Sequence, residues 1–374
     1  MRTENDSNGY SRKQFLKNAG GALLAGGVMA GTGFPFNGRA KAAVHPNDIM
    51  PFKEPDEFNG PVLNRIAADP TAIPPPIKRK KPKEVHLEVT SREVTGPIED
   101  GIKYRFMTFD GQVPGPLLRV RQGDTVYLTH KASPDNVMVH NIDLHAVYGT
   151  GGGAADTYVA PGQSQTIKFK AMYPGAFVYH CAVPQVAYHI SAGMYGMILV
   201  EPEEGLPEVD HEFYLGQHEI YSHKVTAELG PHAFNTSFDF ERMMQEDPSY
   251  VLLNGEKYAL TEERYGPMKV KKGETARIFF ANGGPNLTSS FHPIGNVWTK
   301  VWREGAIASE PERYVQTCPV APGSCGIFEM DFPVPSMINL VDHALSRFSQ
   351  KGMNGQIVVE GEPNPDIYEA NPKK

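Results

Sequence analysis

Apolar and polar residues alternate along short segments between residues 84 and 363. Residues 125–129 (Thr-Val-Tyr-Leu-Thr) and 166–170 (Thr-Ile-Lys-Phe-Lys) both place an apolar side chain at every second position. A period of two is typical of β-strands with one buried face, and the glycines and prolines between such segments indicate turns. The pattern predicts an all-β protein of the sandwich or barrel type. One short helical insertion is predicted at residues 237–245.

Three short motifs occur twice in this part of the chain, in the same order and 150 to 161 residues apart. The pairs are Val-Arg-Gln-Gly-Asp-Thr-Val at 120–126 with Val-Lys-Lys-Gly-Glu-Thr-Ala at 270–276, Val-Ala-Pro-Gly at 159–162 and again at 320–323, and Gly-Met-Tyr-Gly-Met-Ile-Leu-Val-Glu at 193–201 with Gly-Met-Asn-Gly-Gln-Ile-Val-Val-Glu at 352–360. An ordered repeat indicates two copies of one domain. We therefore predict β domains at 84–205 and 206–363, followed by a C-terminal tail at 364–374.

The first 42 residues have the order of an export signal. Three basic residues at 12–17 precede a Gly/Ala/Leu-rich stretch at 19–34, and Ala-Lys-Ala at 40–42 supplies a small-residue cleavage pattern. The basic segment resembles a twin-arginine signal in which Lys13 replaces the second arginine. We predict a signal peptide at 1–42 and a periplasmic or equivalent exported location, with the twin-arginine pathway as one route. A disordered tail and a membrane anchor are the alternatives, although the glycines leave the stretch short of the ~20 strongly apolar residues of a spanning helix.

Charge limits the classes of partner. The chain of 374 residues has a formal net charge of −7, and residues 1–42 carry six Lys/Arg against two Asp/Glu, so the mature chain would carry −11. An acidic chain is a poor nucleic-acid binder, and no nucleic-acid partner is predicted. Residues 43–83 are proline-rich and predict an extended arm, whose basic run at 78–83 is interpreted as a solvated face. No membrane span is predicted in the mature chain.

Metal-binding residue types cluster in the first β domain, in the motifs His-Asn-Ile-Asp-Leu-His at 140–145 and His-Cys at 180–181. Neighbouring side chains on a strand point to opposite faces. His140 and His145 are an odd number of residues apart and should diverge, as should His180 and Cys181. The alternation therefore predicts two metal sites.

One predicted site combines a thiolate, two imidazoles and a thioether, from His140, Cys181, His189 and Met194. A trigonal His₂Cys set with a weak axial methionine is typical of blue-copper electron-transfer sites. The spacing Cys-x₇-His-x₄-Met within a β domain supports this interpretation. The alternative is a buried cysteine beside core histidine and methionine side chains.

The other predicted site begins with His145 and His180. Two imidazoles leave a site one ligand short, and three histidines with an open position form a catalytic rather than a structural pattern. The second β domain offers His292 and His343, and the spacing alone does not decide between them.

Five motifs in one order make a family recognisable. They are His-Asn-Ile-Asp-Leu-His at 140–145, Phe-Val-Tyr-His-Cys at 177–181, His-Ile-Ser-Ala-Gly-Met at 189–194, Phe-His-Pro-Ile at 291–294 and Leu-Val-Asp-His at 340–343. Together they resemble a copper-containing nitrite reductase, over residues 65–362. The resemblance implies two tandem cupredoxin-like Greek-key domains and two coppers per chain, called type 1 and type 2. The short loop at 182–188 fits one branch of this family.

The resemblance also implies roles for single residues. His343, from a neighbouring subunit of a homotrimer, would complete the type 2 site with His145 and His180, and His292 would lie beside that copper without binding it. Asp143 would hydrogen-bond the substrate, nitrite, and Ile294 would crowd it.

The implied reaction takes nitrite, one electron and two protons to nitric oxide and water. The electron would come from a small donor protein, either a blue copper protein or a c-type cytochrome. Pro293 departs from the commonest pattern of the family.

Two other functions compete with this interpretation. A multicopper oxidase needs paired His-x-His motifs for its trinuclear cluster, and none of the 13 histidines stands two residues from another. A two-domain cupredoxin electron carrier would have an empty or degenerate second site, whereas His145, His180 and His343 are all present.

The remaining two cysteines, Cys318 and Cys325, lie close together in the sequence. In an exported protein they could close a small disulfide, but a crossing between sheets could hold their Cα atoms beyond the ~7 Å that a disulfide spans. The sequence leaves both outcomes open.

Overall fold

In the computed structural model, which describes residues 58, 60–224 and 235–372, the alternating segments form nineteen β-strands. The first eight are β1 (Glu84–Glu99), β2 (Ile102–Phe109), β3 (Leu118–Arg121), β4 (Thr125–Ala132), β5 (Asp143–Leu144), β6 (Ser164–Lys170), β7 (Gly175–His180) and β8 (Tyr195–Glu201). The others are β9 (His211–Ile220), β10 (Tyr250–Leu253), β11 (Met268–Lys271), β12 (Thr275–Gly284), β13 (Ser289–Ile294), β14 (Trp298–Trp302), β15 (Glu312–Val315), β16 (Cys318–Val320), β17 (Ser324–Asp331), β18 (Ser336–Asp342) and β19 (Asn354–Glu360). The predicted signal peptide lies outside the described residues, as do residues 43–57 of the predicted arm.

Strands β1 to β8 form two four-stranded sheets, in the orders β2-β1-β4-β6 and β3-β8-β7-β5. Neighbouring strands are antiparallel except that β1 runs parallel to β4 and β3 runs parallel to β8. In β4 every second side chain from Val126 to Ala132 is buried, whereas those between them are wholly or partly exposed. Alternation along the sequence therefore identifies the face of the sheet that lies in the core.

Strands β9 to β19 form a six-stranded sheet, in the order β10-β9-β12-β17-β14-β15, and a five-stranded sheet, in the order β11-β19-β18-β13-β16. The arrangement repeats that of the first half, since β11 pairs in parallel with β19 as β3 does with β8. The first repeated motif joins β3 to β4 in one copy and β11 to β12 in the other. The all-β prediction is confirmed, while the domain boundaries 84–205 and 206–363 stay predictions.

Helices in the described part of the chain are short: α1 (Val186–Ser191), α2 (Phe240–Met244) and α3 (Leu345–Ser349). Helix α2 lies inside the predicted helical insertion and begins after Asp239, whose carboxylate accepts a hydrogen bond from the backbone N of Arg242 at 3.0 Å. Helices α1 and α3 are too short to show the periodic pattern that predicts a helix. None of these helices is long and apolar enough to cross a membrane.

The two halves of the chain meet around Tyr195, the first residue of β8. Its fully buried ring packs against strands β9 and β12. A Cβ atom on Gly216 would lie 2.6 Å from Oη of Tyr195, and one on Gly283 would lie 2.5 Å from its Cγ. Real Cβ contacts are not this short, so only glycine at these two positions admits the ring.

A buried network of ion pairs also links the two halves, and its Arg119–Glu212 pair crosses from one half to the other. Arg119 of β3 and Arg277 of β12 both bind Glu212 of β9, at 2.6 and 3.1 Å. Arg119 also binds Glu201 at 2.5 Å, and Arg277 binds Glu329 at 2.5 Å. Two guanidinium groups that are each 1% exposed are thus neutralised by three carboxylates.

Cys318 and Cys325 are both buried free thiols, so the small disulfide that the sequence left open is not formed. Sγ of Cys318 instead accepts a hydrogen bond from Nη1 of Arg303 at 3.2 Å. Cys325 lies in the apolar core, where burial raises the pKa of its thiol well above the ordinary value.

Candidate metal centres

The first candidate centre is built around Cys181, the residue after β7. Its Sγ lies 3.4 Å from Nδ1 of His189 and 3.9 Å from Nδ1 of His140. The three side chains are fully buried, and their ligand atoms all lie within 4.8 Å of one another. Backbone hydrogen bonds bring the buried Met194 alongside, because its carbonyl accepts from the N of Cys181 at 3.2 Å and its N donates to the carbonyl of His189 at 3.0 Å.

Helix α1 explains how residues from so short a segment converge. Gln185 adopts a left-handed conformation, with φ of 72°, and turns the chain into the helix four residues after Cys181. His189 lies in the last turn of the helix and is buried, and the chain then returns through Gly193 to Met194 and β8. Three of the predicted ligands therefore come from one tight excursion between β7 and β8.

The donor chemistry of this centre fits copper. Burial alone would raise the pKa of the Cys181 thiol, but the charges of and hydrogen bonds from His189 and His140 hold that pKa well below its ordinary value. Nε2 of His189 is buried and has no hydrogen-bond partner among the described residues. A thiolate with two imidazole nitrogens and a nearby thioether is the ligand set that blue-copper sites use.

A buried carboxylate, that of Glu93, contacts the His140 side chain of this centre. Oε1 of Glu93 lies 3.1 Å from Nε2 of His140, and Glu93 also forms a fully buried ion pair with Arg105. Burial alone would raise the pKa of Glu93, but the hydrogen bond from His140 and the charge of Arg105 lower it to about 2. Glu93 is therefore an anion in a site from which solvent is excluded.

Sequence reasoning missed Glu93 and also Asn141. Oδ1 of Asn141 accepts a hydrogen bond from the backbone N of Ala182 at 2.7 Å and lies 3.6 Å from Sγ of Cys181. Asn141 thus ties the segment after the cysteine to the segment of His140. The sequence signal for Asn141 was its position directly after His140 in the motif. The signal for Glu93 was a charged residue at a position of the strand that alternation assigns to the buried face.

The second candidate centre lies where β5 pairs with β7. Asp143 stands opposite His180 in the register, and Nε2 of His180 lies 3.1 Å from Nε2 of His145. The ligand atoms of Asp143, His145 and His180 lie within 4.8 Å of one another, and this group is more exposed than the thiolate cluster. Burial, and then the charge of His180, lower the pKa of His145, which favours the neutral imidazole that a metal requires.

His292 and His343 lie together in the second half of the chain, with ring centroids 5.1 Å apart. His343 is exposed, and neither residue joins His145 and His180 in a metal-binding group of the described chain. Nδ1 of His292 lies 2.7 Å from the backbone carbonyl of Gln316. One chain therefore has two incomplete parts of the second predicted site, which do not come together in one ligand group.

The turn that presents His343 is held by the buried Asp342. Its carboxylate accepts hydrogen bonds from the backbone N of Ser290 at 3.1 Å and of Ala344 at 3.0 Å, and pairs with Arg347 at 2.8 Å. Ile294, at the end of β13, is 37% exposed. The structure thus holds the turn of His343 in place, and it leaves an apolar side chain two residues along β13 from His292 partly exposed.

The chain is similar to known proteins over most of its length. A family model described as "Multicopper oxidase" matches residues 89–205. The chain is 43% identical over 307 residues to the copper-containing nitrite reductase of Neisseria meningitidis serogroup B, covering 82% of this chain and 77% of that protein. It is 34% identical over 323 residues to the copper-containing nitrite reductase of Cereibacter sphaeroides, covering 80% and 84%.

A solved structure gives the same result. The copper nitrite reductase of Nitrosomonas europaea superposes with a TM-score of 0.66 and 31% sequence identity, covering 76% of this chain and 96% of that chain. Its similarity therefore extends over both halves of the fold. The chain belongs to the family of copper-containing nitrite reductases.

Proposed function

We propose that the chain is a dissimilatory, copper-dependent nitrite reductase, which takes nitrite, one electron and two protons to nitric oxide and water. The observation that carries the proposal is the peptide bond between His180 and Cys181, because one side chain belongs to the exposed histidine pair and the other to the buried thiolate cluster. Copper, when bound, supplies one-electron redox chemistry at the cluster and Lewis acidity at the histidines. The shared backbone gives an electron a short through-bond path between the two.

The type 1 ligands in this proposal are the four residues of the first centre. Cys181, His140 and His189 would be the strong ligands, and Met194 would be the weak one. Complete burial keeps water away from the thiolate, and the two imidazoles stabilise its negative charge. These side chains would therefore hold a copper ion that supplies one-electron redox chemistry, with the sulfur kept unprotonated.

The type 2 ligands are His145 and His180 of one subunit and His343 of a neighbouring subunit. Two features of the single chain support an assembled site. His343 lies apart from the pair, and two apolar residues of the same part of the chain, Ile294 and Leu345, are 37% and 53% exposed. A cyclic trimer would bring the two parts together at each of its interfaces. Three imidazoles leave one position open for nitrite.

Asp143 and His292 are the groups that deliver protons. The carbonyl of Gln316 can only accept, so the neutral His292 carries its proton on Nδ1 and Nε2 is the atom that takes up and releases a proton. Asp143 lies within the His145–His180 group and can hydrogen-bond nitrite there. Ile294, two residues along the strand from His292, would crowd the bound nitrite.

The proposed function also includes an electron donor and a cellular location for the protein. A small blue copper protein or a c-type cytochrome would supply the electron at the thiolate cluster. The export signal at residues 1–42 indicates the periplasm, with the twin-arginine pathway as one route.

Copper quantitation combined with a nitrite-dependent nitric oxide assay tests the proposal. About two coppers per chain with turnover is the expected result, and one copper without turnover would instead identify an electron carrier. Light scattering of the purified protein measures whether it is a trimer. The oxidase alternative is not favoured, since no His-x-His pair occurs in the chain.

A further inference from the structure

A glycine-rich loop lies against the carboxylate of Asp143. The loop contains a single 3₁₀ turn, Thr150–Gly153, in which Gly151 and Gly152 both adopt left-handed conformations with φ of 58°. Side chains other than glycine's rarely adopt this conformation. The conformation alone therefore accounts for glycine at both positions and does not distinguish them.

Their surroundings do distinguish the two glycines. A Cβ atom on Gly152 would lie 2.1 Å from Oδ1 of Asp143, 2.7 Å from the carbonyl oxygen of Leu144 and 2.9 Å from its N. A Cβ atom on Gly151 would meet only Cβ of Ala154, at 3.4 Å, an ordinary contact. The missing side chain at Gly152 thus leaves the space that the Asp143 carboxylate occupies.

The backbone that carries Asp143 cannot readily move away. Asp143 pairs with His180 and Leu144 with Tyr179 in the β5–β7 ladder, and the N of His145 donates to the carbonyl of Val178 at 3.0 Å. A side chain at position 152 would therefore have to turn the carboxylate of Asp143 into another rotamer or push the loop off the sheet.

We propose that Gly152 is a positioning residue for the reaction, because it seats the Asp143 carboxylate beside His145 and His180. The inference rests on the proposed function, in which Asp143 hydrogen-bonds nitrite and delivers a proton. Gly152 itself contacts neither nitrite nor metal and acts through Asp143.

Gly152→Ala and Gly151→Ala form a matched pair for the test, because both place an alanine at the same φ and only one fills the carboxylate's space. We expect Gly152→Ala to lower kcat by about 10²-fold, the usual effect of misplacing a reacting group by 1 Å. Gly151→Ala should stay within about two-fold of the parent protein. Copper content and the type 1 absorption should match in the two variants. Equal kcat values for them would overturn the proposal.

A crystal structure of Gly152→Ala measures the position of the Asp143 carboxylate without any activity assay. A carboxylate of Asp143 that has rotated away from position 152 supports the proposal, and one that has not moved contradicts it. This readout also separates the two claims. Full turnover by Asp143→Asn would refute the role of Asp143 in the proposed function. The position of the carboxylate in the crystal structure would still test whether Gly152 positions it.

Asp143→Ala provides a rescue if Gly152→Ala folds poorly. It removes the nearest of the three atoms that the new Cβ would meet, so the double variant should regain most of the melting temperature that Gly152→Ala loses. In kcat, Gly152→Ala should add almost nothing to the loss already caused by Asp143→Ala, since both act through one group. No recovery, or fully additive losses in kcat, would mean that the Leu144 backbone is the damaged contact and would overturn the proposal.

Discussion

Nε2 of His140 donates a hydrogen bond to Oε1 of Glu93 at 3.1 Å, with both side chains fully buried. The same oxygen accepts from the backbone N of Val137 at 3.1 Å and of Met138 at 2.7 Å, so the carboxylate is held on several sides. Because Nε2 carries the donated proton, Nδ1 is the nitrogen left to face Cys181. Glu93 therefore selects both the orientation and the tautomer of this imidazole.

Glu93→Gln should raise the reduction potential of the type 1 copper, because loss of a nearby negative charge favours Cu(I) over Cu(II). Copper affinity should fall about 10- to 100-fold, as it does when other partners of ligating histidines are changed. A potentiometric titration followed by visible absorption measures the potential. Glu88→Gln, on the same strand with its side chain 55% exposed, is the control. Equal potentials in the two variants would contradict the role of Glu93.

Asp143→Asn should retain both coppers and lose turnover by roughly 10²- to 10⁴-fold, the usual contribution of a positioned acid or base. Asn keeps the shape of the side chain and removes its ability to deliver a proton. Metal analysis and nitric oxide formation measured on one preparation separate the two effects. Asp156→Asn, at an exposed position after the same glycine loop, should behave like the parent protein. Unchanged turnover would remove Asp143 from the mechanism.

A mixing experiment tests the division of the type 2 site between subunits. His145→Ala and His343→Ala should each abolish turnover alone. When the two chains are co-expressed, about a quarter of the interfaces in random trimers would combine an intact His145 with an intact His343, and turnover should return in proportion. No recovery in verified mixed trimers would show that each chain supplies all three ligands itself.

Glu212→Gln should destabilise the fold by about 3–5 kcal/mol, since Arg119 and Arg277 would lose a carboxylate that they share in a buried site. Denaturant unfolding of the copper-loaded protein, at fixed copper concentration, measures the change. Glu312→Gln is the control, because Glu312 pairs with Arg303 on the surface, where solvent and salt screen the pair and it contributes little to stability. Similar losses in both variants would contradict the importance of the buried pairs.

His218 should make stability fall in acid. Among the described residues neither of its ring nitrogens has a hydrogen-bond partner, and burial lowers its pKa from 6.5 to about 3. The folded state thus favours the neutral ring, so this contribution is fully present above pH 6.5 and is lost as the pH falls toward 3, by up to about 1.4 kcal/mol per pH unit.

Unfolding free energies measured between pH 7 and pH 5 check this sign against two variants. His218→Leu should lack the contribution and show a shallower slope, whereas His86→Gln, at an exposed position, should keep the slope of the parent protein. A slope that is the same in all three proteins would contradict the prediction.

The sequence predicted what depends on local periodicity. The repeated motifs indicated two copies of a domain. The alternation in β4 indicated a strand, because the burial of strand residues alternates from one residue to the next. The opposite faces of His180 and Cys181 follow from the same geometry, and the structure has them in separate clusters. Helix α1 escaped prediction because six residues carry too little of a helical period.

What the sequence could not reveal depends on contacts between distant segments. Glu93 precedes His140 by 47 residues, and only the folded sheets bring the carboxylate to the imidazole. Gly152 is one of three consecutive glycines, and its difference from Gly151 appears only when Asp143 is placed beside it. The spacing of Cys318 and Cys325 allowed a bridge, whereas the folded chain keeps both as buried free thiols in β16 and β17.

Tyr195 follows Met194 directly, and its ring occupies the space left by Gly216 and Gly283 of the other half. The two halves are therefore poor modules for exchange between relatives. A chimera that joins residues 84–205 to a foreign second half needs glycine at both of these positions, because a side chain there would displace Tyr195 together with the adjoining Met194. Recombination within this family should succeed or fail on two glycines that lie in the half without the thiolate.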